Sequence, residues 1–247
     1  TAATAYTVTD GSAADAVSAA EIGKVAIENN ANIFVNGHWN TILHRAGISP
    51  PGPGKENYWE WMGGISFIPK TKEFLNSEAE KDIFIDGSSF MGIGSDGTDR
   101  FNRGYQEVYN NIDKYESLLM SRNETFKIIS HSEGGAYGAG IAQALIDKGY
   151  KVETLLSLSP DEATDYSVPR QPTTYQIHSN FDVVSPFAVP RGTDYVLLLT
   201  DSKGVTQNHT RTVTTDSINR LENYLKKLDS GNKKYFHNEK GGIRKYE

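Results

Sequence analysis

The segment Ser130-His131-Ser132-Glu133-Gly134 sets one hydroxyl among small neighbours, directly after the apolar run from Phe126 to Ile129. Glycines, alanines and helix formers follow it. A short β-prone run, then small-x-Ser-x-Gly, then a helix is the pattern of a strained turn that lifts a serine Oγ above a sheet edge. The neighbours two residues away must be almost bare, or strand and helix collide. Here they are Ser130, in place of the usual glycine, and Gly134. A serine hydroxyl becomes a good nucleophile when an imidazole takes its proton and a carboxylate orients that imidazole. Asp182 and His209 follow in the required order, each beyond a strand-like run. Of six histidines, only His209 and His237 lie past Asp182, and His237 sits in a polar tail. Asp161, which ends the preceding strand, is the alternative acid. Two backbone donors must face the developing oxyanion. One is the N–H of Glu133, and the other comes from Gly87 or Ser88, after the run Lys81 to Asp86; Asn36-Gly37 is a rival for that second place.

The elements that must position these groups alternate. Strands are expected over 81–86, 126–129, 152–158, 173–178 and 195–200, with helices over 106–121, from Gly135 onward, and over 215–228. Such alternation gives a mainly parallel sheet with helices on both faces. Before it, a helix over 10–29 and a β-hairpin turning at Asn36-Gly37 form an N-terminal extension, since Asn-Gly suits a two-residue hairpin turn. A Gly/Pro loop from Gly47 to Gly64 carries Tyr58, Trp59 and Trp61 toward the core or toward substrate. Another loop spans Phe90 to Gly104; its Phe90, Met91 and Ile93 either form a lid that contacts lipid or pack on the core. The run Ser95 to Asp99 lacks the spacing of a calcium loop and reads as a plain turn. His131 and His178 read as structural. The expected divisions are 1–80 for the extension, 81–229 for the core and 230–247 for a polar tail, all within one structural domain.

Composition narrows the chemistry. The 247 residues carry a net charge of −6 and no basic cluster outside a mixed tail, which argues against nucleic acid as a partner. Cysteine is absent, removing disulfides, thiolate metal sites and thiol nucleophiles together. No metal or cofactor is called for. No apolar run approaches a membrane span and no signal peptide is visible; a first residue of Thr1 suits a mature form or a piece of something longer.

The stretch from Asp82 to His209 resembles the α/β-hydrolase fold, in particular its lipase-like members. More narrowly, Ile129 to Glu162, His178-Ser179-Asn180-Phe181-Asp182-Val183-Val184-Ser185-Pro186 and Asn208-His209-Thr210 resemble hydrolase domains at the C-terminal ends of Rhs-type polymorphic toxins. Asn36 to Asn40 and the loop bearing Tyr58-Trp59 are similar to the region that precedes those domains. The resemblance implies a lipase or phospholipase effector that is secreted or delivered into a rival cell. It implies soluble transport by a secretion-apparatus carrier, an immunity protein in the producer and transient membrane contact. The alternatives are a triad hydrolase of soluble ester, thioester or peptide substrates, and an inactive hydrolase-fold binding module.

Overall fold

The protein is described from a computed structural model over residues 30–39, 44–45, 49–50, 52, 54–79, 81–88, 96–119, 124–200 and 205–227, with the strand backbone at 235–238 and 243–245. The helix expected over 10–29 lies outside these residues. The run Asn30–Asn36 forms β1, apolar toward both faces: Ile33 and Val35 enter one core and Phe34 the other. A strand buried on both sides belongs inside a parallel sheet rather than in an exposed hairpin. Accordingly β1 pairs in parallel with β2 (Asp82–Asp86) on one side and β3 (Thr125–His131) on the other.

That pairing overturns the expected hairpin. Residues 37–39 continue as irregular chain, so Asn36-Gly37 ends a strand without turning it back. The Asn36 side chain makes the ending. Its Nδ2 donates to the Gly37 carbonyl at 2.8 Å and to Asp86 Oδ1 at 2.9 Å, and its Oδ1 accepts from the Lys55 N–H at 2.9 Å. Among the described residues the sheet therefore takes in β1 from Asn30, ahead of the core expected over 81–229.

Beyond β3 the sheet continues through β4 (Lys151–Leu158), β5 (Thr173–Ser179) and β6 (Tyr195–Leu199), giving the order β2-β1-β3-β4-β5-β6-β7-β8. The expected tail supplies the last two strands. β7 (Tyr235–Asn238) lies parallel to β6, and β8 (Ile243–Lys245) closes against β7 as the one antiparallel pairing among the described residues.

Helices cover both faces. Under one lie α1 (Glu56–Gly63), α2 (Phe67–Phe74) and α7 (Thr215–Lys227), whose Trp59, Phe67, Ile218 and Leu221 meet Phe34, Ile129 and Leu156. Part of the expected aromatic loop is thus α1, with Tyr58 and Trp59 fully buried. On the other face are α3 (Gly97–Asn110), α4 (Ile112–Glu116) and α5 (Gly134–Asp147), packed on Val35, Phe126 and Ile128. α3 starts inside the expected glycine loop because Asp96 caps it, its side chain accepting from the Asp99 N–H at 2.9 Å. The one-turn helix α6 (Val205–Thr210) follows β6. Among the described residues no helix is long and apolar enough to cross a membrane.

α3 and α5 touch backbone to backbone. A Cβ on Gly104 would sit 2.0 Å from the Tyr137 carbonyl oxygen, and one on Gly140 would sit 2.0 Å from that of Phe101. Alanine is the better helix former by about 1 kcal/mol, yet here it must push the helices apart. Gly104→Ala and Gly140→Ala are each expected to lower the unfolding free energy by about 1–3 kcal/mol, the usual cost of overpacking, measured by urea denaturation. A stabilised variant would contradict the close approach.

Candidate active site

β3 delivers the chain to Ser132, whose φ of 55° lies in the left-handed region. A residue with a side chain accepts that conformation at a cost of about 1–3 kcal/mol, so the surroundings must impose it. They do so through three hydrogen bonds. The Ser132 N–H donates to the Leu158 carbonyl at 3.0 Å, and its own carbonyl accepts from the N–H of Gly135 at 2.9 Å and of Asp161 at 3.1 Å. Gly134 has no room for a side chain, since a Cβ there would lie 2.5 Å from the Val35 carbonyl oxygen. Ser130 fits where glycine is usual because the opposing helix residue, Gly138, is bare: a Cβ on it would stand 3.1 Å from the Ser130 Cβ.

From the end of β5, Asp182 meets His209 on α6. Asp182 Oδ2 lies 2.7 Å from His209 Nδ1, while Oδ1 accepts the N–H groups of Val184 and Ser185, each at 3.0 Å. Burial works to raise the Asp182 pKa. The hydrogen bond and charge of His209, with the Ser185 N–H, more than reverse it, and the carboxyl sits below its ordinary value. In a neutral imidazole, a carboxylate at Nδ1 holds the hydrogen on that nitrogen and leaves Nε2 with the lone pair.

The alternative acid faces elsewhere. Asp161 accepts from the Glu162 N–H at 3.0 Å and stands 3.8 Å from the Arg100 guanidinium. Burial raises its pKa despite that arginine.

The second donor expected from Gly87 or Ser88 is not placed there. The Gly87 N–H is spent on the Asn36 carbonyl at 3.1 Å, and the Ser88 N–H on Asp86 Oδ1 at 3.0 Å. β2 is one strand removed from β3, and the turn that abuts the serine belongs to β1. A Cβ on Gly37 would lie 2.6 Å from the Ser132 Cβ and 3.2 Å from the Glu133 nitrogen. Phe90, Met91 and Ile93 lie outside the described residues.

Arg100 on α3 is a site residue the sequence does not announce. It is 3% exposed, donates to Glu133 Oε1 at 3.2 Å and to Glu162 at 2.5 Å, and so ties the residue after Ser132 to the loop after β4. An arginine in a polar helix carries no mark of such a role before the fold is known. Among the described residues, no group of three His, Asp or Glu side chains is placed to hold a metal ion.

The first 31 residues match the family model for a pre-toxin domain with VENN motif. Ile27-Glu28-Asn29-Asn30 stands in that stretch. No curated protein sequence matches the chain. Among solved structures, the chain is similar to a protein described as a cell-surface hydrolase from Lactobacillus plantarum WCFS1, at 11% identity, 83% coverage of this chain, 94% of the other and a TM-score of 0.43. It is also similar to a protein of unknown function from Agrobacterium tumefaciens, described as an alpha/beta hydrolase (15%, 81%, 87% and 0.43). A third is alpha/beta hydrolase domain-containing protein 10 from mouse (14%, 81%, 90% and 0.38). With TM-scores below 0.5, these likenesses add no weight to the sheet order and turn described above. The mainly parallel sheet, helices on both faces and a left-handed serine between central strand and helix define an α/β-hydrolase fold.

His178 on β5 is fully buried, and its ring nitrogens have no hydrogen-bond partner among the described residues. Burial disfavours its cation and brings its pKa from 6.5 down to about 4. A histidine depressed in the folded state binds fewer protons there than when unfolded, so stability falls as pH drops below the unfolded value. Between about pH 7.5 and about pH 5 this group is expected to cost about 2 kcal/mol. His178→Leu should remove that part of the pH dependence in urea unfolding; an unaltered dependence would show that His178 takes up its proton in the fold as readily as when unfolded.

Proposed function

We propose that the protein is a serine ester hydrolase in which Ser132, His209 and Asp182 form the triad. The observation that carries this reading is the 2.7 Å contact between Asp182 Oδ2 and His209 Nδ1, in a fold that holds Ser132 left-handed. The Ser132 Oγ attacks the ester carbonyl carbon while His209 Nε2 takes its proton. Asp182 stays ionised and stabilises the imidazolium. The oxyanion accepts from the Glu133 N–H and from a second backbone donor in the Asn36-Gly37 turn, whose Gly37 lies against the serine. Collapse expels the alcohol, which receives the proton from His209. Water then enters, gives its proton to the same nitrogen and attacks the acyl carbon; collapse releases the acid while His209 returns the proton to Ser132 Oγ.

Lipid is the substrate class we favour. Bonds from Val184 and Ser185 to Asp182 fix the acid loop so that Phe181, Val183 and Val184 are 44%, 65% and 54% exposed. Three exposed apolar side chains around the acid suit contact with an acyl layer, each large one worth about 1.5–3 kcal/mol when fully buried. The pre-toxin similarity at residues 1–31 supports an antibacterial effector with a secretion-apparatus carrier and an immunity protein as partners.

Ser132→Ala is expected to lower kcat by up to about a millionfold and to abolish labelling by a fluorophosphonate probe. Full activity in that variant would end the reading. Asp182→Asn should cost on the order of ten thousandfold and Asp161→Asn far less, a reversal moving the acid to the earlier strand. Val183→Ser with Val184→Ser should slow hydrolysis of phospholipid vesicles while sparing a short soluble ester. Equal loss on both substrates would remove the lipid assignment and leave a general esterase.

A further inference from the structure

Two buried residues behind the triad carry a proton arrangement that has one solution. The Tyr58 hydroxyl stands 2.5 Å from His131 Nδ1, and His131 Nε2 stands 3.3 Å from the His209 carbonyl oxygen. A carbonyl oxygen can only accept, so Nε2 carries the hydrogen. Nδ1 then holds the lone pair, and Tyr58 must donate to it. Tyr58 and His131 are both fully buried. The imidazoles of His131 and His209 lie 4.8 Å apart, centroid to centroid.

We propose that Tyr58 and His131 are positioning residues, and that the hydrogen-bond chain Tyr58–His131–His209 fixes the backbone from which the His209 imidazole projects. This rests on the reading of Ser132, Asp182 and His209 as a triad. α6 is too short to hold His209 by its own helical bonds. The His131 Nε2–H and the Thr212 hydroxyl, at 3.2 Å, both bond to the His209 carbonyl, while Asp182 holds the ring. Main chain and side chain are thus pinned separately.

The chain in this direction needs His131 neutral, since the phenol donates to Nδ1 only while that nitrogen keeps its lone pair. Burial, first, and His209 keep the His131 pKa well below its ordinary value, with His178 adding to the effect and Asp182 working against it. Burial holds Tyr58 as the phenol, aided by Glu133 and Asp86.

The test joins kinetics to a measurement that needs no turnover. In Tyr58→Phe, kcat on a short ester is expected to fall on the order of tenfold to a hundredfold with KM nearly unchanged. His131→Leu should fall at least as far. His131→Gln, which keeps a donor for the His209 carbonyl, should recover part of the loss. In wild type with 15N-labelled histidine, NMR should show His131 protonated at Nε2 and bare at Nδ1 between about pH 5 and 8. An Nδ1–H tautomer, or a His131 that titrates near the ordinary histidine value, would overturn the chain. So would an unchanged kcat in Tyr58→Phe, or losses in all three variants that track melting temperature alone. Failure of wild-type Ser132 to take a fluorophosphonate would instead end the triad reading, and the positioning role with it.

Discussion

A residue with a side chain resists the left-handed region, and Ser132 stays there because its backbone is bonded to the β4 strand end, the loop after it and the first turn of α5. Everything around the candidate site follows from that constraint. α5 must leave the sheet at once, so Gly134 passes within contact of the β1 backbone. The side chains that could object are absent. The helix tolerates its glycines because packing against β1, β3 and α3 outweighs their poor propensity.

The charges beneath the turn obey the same economy. Arg100 sits among Glu133, Asp161 and Glu162, one cation facing three carboxylates. Burial lifts the pKa values of Asp161 and Glu162, while the arginine opposes the lift. A buried guanidinium is tolerable where its donors meet acceptors on several sides, as they do here. Its place is set by the backbone contact of α3 with α5, which brings position 100 under Glu133, the residue that follows Ser132. A packing contact between helices thereby becomes an electrostatic anchor for the loops at the serine.

The acid loop shows a third consequence. Both Asp182 oxygens are committed, one to two backbone N–H groups and one to His209. An acid so held stays ionised while partly enclosed, and its loop has little freedom to turn Val183 and Val184 inward. The arrangement that orients the imidazole also decides what the protein presents beside it.

What could be read from residues alone is local. An apolar run ending in Ser130-His131-Ser132-Glu133-Gly134 specifies strand, tight turn and helix, because each requirement falls on adjacent residues. The alternation of strand and helix patterns gave the parallel architecture for the same reason. The order of Ser132, Asp182 and His209 suggested partners, and the fold brings the last two into contact. Strand order was different. Asn36-Gly37 carries the local signal of a hairpin, but β1 is apolar on both faces and gains more between β2 and β3. That choice put Gly37, rather than Gly87 or Ser88, against the serine. Asp161 and Asp182 both end strands, and only side-chain direction separates them. Tyr58, His131 and Arg100 come from distant parts of the chain, and nothing in their neighbours marks them. The sequence determined what each segment is, since backbone conformation answers to nearby residues. Tertiary structure decided which segments are neighbours, because parallel strands pair through burial and hydrogen bonding that no single turn encodes.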